Sequence, residues 1–284
     1  MLRSLTTAIS GLQNFQGRMD VIGNNIANVN TTAFKSARVD FSDSFSQTLR
    51  RPGQGEGKSA ALQVGSGVGT DAIRDIYSQG AMSRTGVLTD MAIGGEGYFV
   101  VRDAITDSEF LTRNGAFRID DAGFLVGNSG HRLQGFDSTT LNTVGDLKID
   151  LVGMPATSDP NATLVSWSVS NDGKIGINLS DGTSFVRGQV LLQNVRNPAV
   201  LVKEGNSLYS GFKDAGPLGG ATPTAAEPGT VGLGKIEAGT LELSNVDLAN
   251  EFSSMITAQR AFQATARVIS TSDELLQELV NLKR

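Results

Sequence analysis

Few residues in this chain could do chemistry, and their surroundings argue against it. His131 is the single histidine among 284 residues, and there is no cysteine. The missing cysteines remove disulfides, thiol catalysis and zinc–thiolate sites together. Any Ser-His-Asp triad or histidine metal site would hang on His131, which lies in a glycine-flanked turn and reads as a solvated loop histidine. The carboxylates Asp120, Asp121, Asp172 and Asp181 occupy turn positions, where aspartate serves backbone geometry. None has the one-three-five-plus-Glu spacing of a calcium loop. Paired carboxylates of the glycosidase kind come from distant strands and leave no local signature, and nothing here recommends them. Val64-Gly65-Ser66-Gly67-Val68-Gly69 superficially resembles a nucleotide-binding glycine loop, but lacks the following amphipathic helix and the later acidic residue. It reads as a bend in extended chain. The expectation is a protein with no catalytic residues, no cofactor and no metal, not an enzyme.

The elements around these residues are of two kinds. Leu248, Phe252, Met255, Gln259, Phe262, Ala266, Ile269, Asp273, Leu276, Val280 and Lys283 step by four and three without a break, a mostly apolar heptad seam that asks for a partner helix. Ser244 or Asn245 can cap its start, with Asp247 and Glu251 in the first turns and Lys283 and Arg284 at the end, as the helix dipole prefers. Ile256, Val268, Leu275, Leu279 and Leu282 add apolar surface beyond that seam. The polar seam residues Gln259 and Asp273 either fix register or face away, with the seam rotated. At the other end, Leu2, Leu5, Ile9, Leu12, Phe15, Met19, Ile22, Ile26 and Val29 also step by three or four. The spacing predicts helices over 2–28, roughly 40 Å, and 246–282, roughly 55 Å. Gly11, Gly17 and Gly23 each cost the first helix about 1 kcal/mol relative to Ala, so its stability must come from packing.

Between these ends the chain is predicted to be β. The apolar pattern dissolves from Asn30 to about Ile76, and 50–58 reads as a flexible loop. Strands are predicted at 97–102, 110–113, 116–119, 124–126, 147–151, 167–169, 174–178, 184–193, 205–210, 234–237 and 240–243. Asn-Gly and Asp-Gly turns separate several of them, as tight antiparallel hairpins require. Residues 213–233, rich in Pro, Gly, Ala and Thr, read as a long exposed excursion. The fold class is therefore α+β: long N- and C-terminal helices with matching seams, flanking a central antiparallel all-β domain. The organisation is 1–30 and 246–284 as a terminal helical domain, 31–76 as an extended linker or joint, and 77–245 as the β domain. A net charge of −5 with no basic block argues against a nucleic-acid partner. No run is long enough for a membrane span. Residues 1–16 lack the continuous apolar core of a signal peptide.

Three separated motifs resemble the flagellar axial proteins, the family of rod, hook and related subunits. The first is Met1-Leu2-Arg3-Ser4-Leu5 with Ile9-Ser10-Gly11-Leu12, then Asp20-Val21-Ile22-Gly23-Asn24-Asn25-Ile26-Ala27-Asn28-Val29-Asn30-Thr31 to Phe34-Lys35. The second is Leu88-Thr89-Asp90-Met91-Ala92-Ile93-Gly94-Gly95-Glu96-Gly97-Tyr98-Phe99, followed by Thr112-Arg113-Asn114-Gly115-Ala116-Phe117. The third is Leu241-Glu242-Leu243-Ser244-Asn245-Val246-Asp247-Leu248 with Met255-Ile256 and Gln259-Arg260. Asn245 to Phe252 and the ending Glu278 to Arg284 are hook-like, of the short kind with one β domain. Thr48 to Val68 is similar instead to an insertion found in the distal rod protein.

The resemblance implies a structural subunit, exported unfolded through the flagellar type III apparatus without a cleaved signal peptide. It would polymerise into the hook, a flexible hollow tube that transmits motor torque to the filament; the alternative is a distal rod subunit, a stiff drive shaft of the basal body. The implied partners are other copies of the chain, adjoining rod and hook–filament junction proteins, the hook cap and the export apparatus. The implied location is the bacterial flagellum, hook or basal body. Self-assembly would rest on the terminal helices, which the resemblance implies form an antiparallel coiled-coil pair: Leu5, Ile9, Leu12, Ile22 and Ile26 at one end, and Leu248, Phe252, Met255, Ile256, Phe262, Ile269, Leu276 and Val280 at the other.

Overall fold

A computed structural model describes residues 2–50, 62–138, 141, 143–155, 158–218, 226–230 and 232–282, the side chains of Leu2, Leu49, Leu62 and Leu279 excepted. Most of the expected loop 50–58, part of the expected excursion 213–233, and Lys283 and Arg284 lie outside the described residues. The chain divides into two compact units. One comprises Met1–Val29, Lys35–Ile76 and Val246–Arg284; the other comprises Asn30–Phe34 and Tyr77–Asn245.

The first unit holds helix α1 (Leu2–Ala27), helix α2 (Leu248–Leu282) and four strands: β1 (Ala37–Asp43), β2 (Ser46–Arg50), β3 (Leu62–Gly65) and β4 (Val68–Asp75). β1 pairs antiparallel with β4 and β2 with β3, with a register shift after Asp40. Bonds from Ser44 N to Gly67 O (2.8 Å) and from Ser66 N to Phe45 O (2.9 Å) join the two pairs into one long ribbon. The stretch expected as an extended joint is thus a two-stranded ribbon packed on helix α1. Gly67 makes its bend at φ +134°, where an added Cβ would press on Ser10 Oγ, so both conformation and space call for glycine.

α2 begins later than the sequence suggests, and its cap is Asp247 rather than Ser244 or Asn245. Asp247 Oδ1 accepts from the N–H of Ala249 (2.9 Å) and of Asn250 (3.3 Å), satisfying two donors that an α-helix start leaves orphaned.

The expected long coiled-coil pair is corrected. The described residues contain two α-helices, one near each end of the chain, with a large antiparallel β region between them. The helices meet at Asn25–Glu251 and at Gly11–Thr265, so they run antiparallel, but not along the expected heptad. Ala258 and Ser272, one heptad either side of Thr265, are buried, whereas Leu248, Phe252 and Val280 are exposed. On α1 the buried positions include Ala8, Gly11, Ile22 and Asn25. Apart from Ile22, the residues at these positions are small or polar; they let the backbones approach but do not supply the repeated large apolar knobs that define a coiled coil. Among the described residues of the expected seam, only the row Met255, Phe262, Ile269 and Leu276 is partly buried.

The second unit is antiparallel β. Thirteen of its described strands share one sheet, with the central order Leu164–Val169, Lys174–Leu179, Ser184–Val190, Arg132–Phe136, Tyr98–Arg102, Glu109–Thr112, Leu208–Ser210, Val202–Gly205. Tyr98–Arg102 is apolar on both faces because both are covered. Phe99 and Val101 join one core with Phe117, Leu133, Ile175 and Leu192, while Tyr98 and Val100 join a second with Leu111, Tyr209 and Phe212. Among the described residues, no helix is long and apolar enough to cross a membrane.

The helix pair and its free apolar face as candidate assembly site

Of the residues that could have done chemistry, His131, Asp120 and Asp181 make local turn contacts. His131 Nδ1 lies 2.8 Å from Ser129 Oγ, and the ring packs edge-on to Phe110. Asp181 accepts from the Thr183 hydroxyl (2.7 Å) and N–H (2.9 Å) and from Asp159 N (3.0 Å), and the Thr183 bonds first of all hold its carboxyl below the usual range. Asp120 accepts from Asp121 N at 2.8 Å. Among the described residues, no three His, Cys, Asp or Glu side chains are placed to hold a metal ion.

The motif residues converge on a different kind of centre. Arg113, from the second motif, is buried and donates through both Nη atoms to the carbonyl of Gly95 (2.8 and 2.7 Å). Its guanidinium lies 5.6 Å from the Tyr98 ring centroid, and its Nε lies 3.8 Å from Glu242 Oε2, from the third motif. Glu242 Oε1 accepts from Gly80 N (2.9 Å), and its carbonyl accepts from Ala33 N (2.9 Å) at the end of the first motif. A buried pair of this kind is costly to break from one side, about 3–5 kcal/mol. Two residues on from Arg113, Gly115 leaves no room for a side chain, since any Cβ would overlap the Met91 carbonyl.

In the helical unit, sequence reasoning missed the two side chains that fasten α1 to the ribbon. Asn14 Nδ2 donates to Val68 O (2.9 Å), and its Oδ1 accepts from Thr70 Oγ1 (2.6 Å). Asn25, which is 1% exposed, exchanges both bonds with the backbone of Ala37 and also donates to Glu251. Eleven residues is close to three helical turns, so both asparagines lie on one side of α1. Asparagine is a poor helix former because its amide seeks backbone partners. Two such residues at helical spacing were the available signal. Phe15 adds an edge-to-face contact with Phe41, ring centroids 6.3 Å apart.

The expected assembly residues fall into two sets. Ile22 is buried and Leu5, Leu12, Ile26, Met255, Phe262, Ile269 and Leu276 are half-buried. Ile9, Leu248, Phe252, Ile256 and Val280 are exposed, Phe252 by 50% and Val280 by 64%. Leu248, Phe252 and Ile256, four residues apart, form a free apolar row. Gln259 and Asp273 are exposed, off the α1 contact. The described residues thus offer uncovered apolar surface of the kind that assembling proteins bury against neighbours.

Comparison with known proteins agrees. Residues 5–35 match "Flagella basal body rod protein", 92–177 match "Flagellar hook protein FlgE/F/G D1 domain", and 237–282 match "Flagellar basal body rod FlgEFG protein C-terminal". The chain is 40% identical to the flagellar basal-body rod protein FlgG of Bacillus subtilis (strain 168), and 33% identical to that of Borreliella burgdorferi, over the full length of each partner. It is 27% identical to the flagellar hook protein FlgE of Borreliella burgdorferi, in an alignment 448 positions long that covers both chains entirely. The chain belongs to the flagellar rod and hook protein family. These are structural components of the bacterial flagellum, not enzymes.

Proposed function

We propose that this chain is a subunit of the flagellar rod, of the distal rod kind, which polymerises with copies of itself and abuts other axial subunits of the basal body. The observation that carries this reading is the contrast between relatives. Rod proteins align end to end over 287 and 291 positions at 40% and 33% identity. Hook proteins align at 27% only by opening the alignment to 448 and 465 positions, sequence for which this chain has no counterpart. The hook reading expected from the chain's ending gives way to its alternative, and the hook cap and hook–filament junction go with it as partners. Other copies, adjoining axial subunits and the type III export apparatus remain.

A physical argument supports the assembly. A head-to-tail contact that does not close makes a filament, and the free row Leu248, Phe252 and Ile256 supplies uncovered apolar surface for one. Two experiments test the reading. Expressed in strains lacking either the rod or the hook subunit, the chain should restore motility only in the first; rescue of the hook strain alone would overturn the assignment. Removing Val246–Arg284 should abolish polymerisation while the near-ultraviolet dichroism of the β unit persists. Tubes formed by the truncated chain would overturn the role of α2.

A further inference from the structure

We propose that Asn25 sets the register of α1 against both α2 and the ribbon, with Glu251 as its dedicated partner, and is thereby a positioning residue for assembly. Its amide is fully committed. One Nδ2 hydrogen goes to Ala37 O (2.8 Å) and the other to Glu251 Oε1 (3.0 Å), while Oδ1 accepts from Ala37 N (3.0 Å). Ala37 is the first residue of β1 and pairs with Asp75 on its other side, so Asn25 takes the place of a neighbouring strand. Only an amide can donate to a carbonyl and a carboxylate while accepting from an N–H.

The packing around it explains why one residue carries this task. Where α1 and α2 approach, Gly11 faces Thr265, and small residues interdigitate too weakly to forbid a slip. A slip of α2 by one heptad along α1 would part the Asn25 amide from Glu251 and leave one buried donor unsatisfied, while the bonds to Ala37 keep α1 on the ribbon. That would lower the population of the slipped form about tenfold or more. Because α2's register on α1 also fixes where its free apolar row is presented, the consequence for assembly rests on the rod reading, whereas the register assignment does not.

The absence of cysteine allows a direct test in the full chain. A Cβ at Gly11 would lie 3.4 Å from Thr265 Cγ2, so Gly11→Cys with Thr265→Cys should oxidise to an intramolecular disulfide. Adding Asn25→Asp, which removes both donors and sets two carboxylates together, should lower that yield about tenfold; Glu251→Gln in addition, which lets residue 251 donate to residue 25, should recover much of it. Gly11→Cys with Ser272→Cys, one heptad out of register, should gain what the first pair loses. An unchanged yield in Asn25→Asp overturns the proposal. So does loss of both disulfides together with the helical dichroism, which would make Asn25 a general folding residue. Polymerisation of the cysteine-free variants is read in parallel: Asn25→Asp should lose it and the double variant regain it. If the disulfides respond as stated but polymerisation does not, the rod reading fails and the register assignment stands.

Discussion

Asp247 and the buried ion pairs carry the consequences visible at single residues. Asp247→Ala removes the acceptor for two N–H groups at the start of α2 and should cost about 1 kcal/mol, read as a lower helical melting temperature. In the β unit, burial works against the Asp146 carboxylate. The bonds from Gln134, Arg132 and Arg102 outweigh it and hold its pKa below the usual range. Asp150 is held down in the same way, against its own burial, by Arg187 and the Val152 N–H. For such depressed carboxyls the stabilisation is complete above the unfolded pKa of about 3.9 and is lost as pH falls through it toward the lower native value. Asp137 runs the other way. Its burial exceeds the pull of Arg187 and raises its pKa, so its contribution grows more favourable in acid. The melting temperature of the β unit should therefore drop below about pH 4, and Asp146→Asn should lower it at neutral pH while flattening that acid limb. An acid limb as steep in the variant as in the parent would count against this assignment.

At the scale of elements, α1 is assembled against its own propensity. An added Cβ at Gly17 meets nothing within 4 Å, so Gly17→Ala should recover about 1 kcal/mol of helix stability in the monomer, read by thermal melting. The two faces of α2 make the complementary prediction. Phe252→Asp, at a half-exposed position, should cost the monomer about 1 kcal/mol and leave it folded but abolish polymerisation as followed by light scattering. Loss of the monomer fold instead would move Phe252 into the core of the unit. The ribbon β1–β4 shows why 37–75 reads poorly along the sequence. Its side chains alternate, but exposed Phe45 and Ile73 break any apolar-in, polar-out pattern. Its pairing is set instead by backbone bonds and by the two asparagines of α1.

For the whole molecule, the division into a helical unit and a β unit brings distant stretches together. The two chain ends fold with a ribbon drawn from 35–76, and residues 30–34 join the β unit, through bonds such as Thr32 Oγ1 to Asn114 Oδ1 at 3.2 Å. Exposed apolar residues concentrated on the terminal helix are what a polymer subunit would bury against its neighbours. If the chain polymerises as proposed, it should be less stable in its helical unit when studied alone than in the polymer, since association removes that surface from water.

The sequence by itself determined the helices at each end, the antiparallel β character between them, and the family. Local periodicity, Asp-Gly turns and long motifs carry that information without reference to partners. Tertiary structure decided which face of α2 meets α1. Leu248 and Phe252 satisfy the heptad spacing as well as Met255 and Phe262 do, and periodicity cannot say which row is covered within the chain and which is left free. It also decided that the buried centre of the seam is small and polar, because Asn25, Glu251, Gly11 and Thr265 earn their places through partners far away in sequence. The same holds for Arg113 and Gly95 of the second motif and Glu242 of the third, unremarkable in the sequence until the fold brings them together.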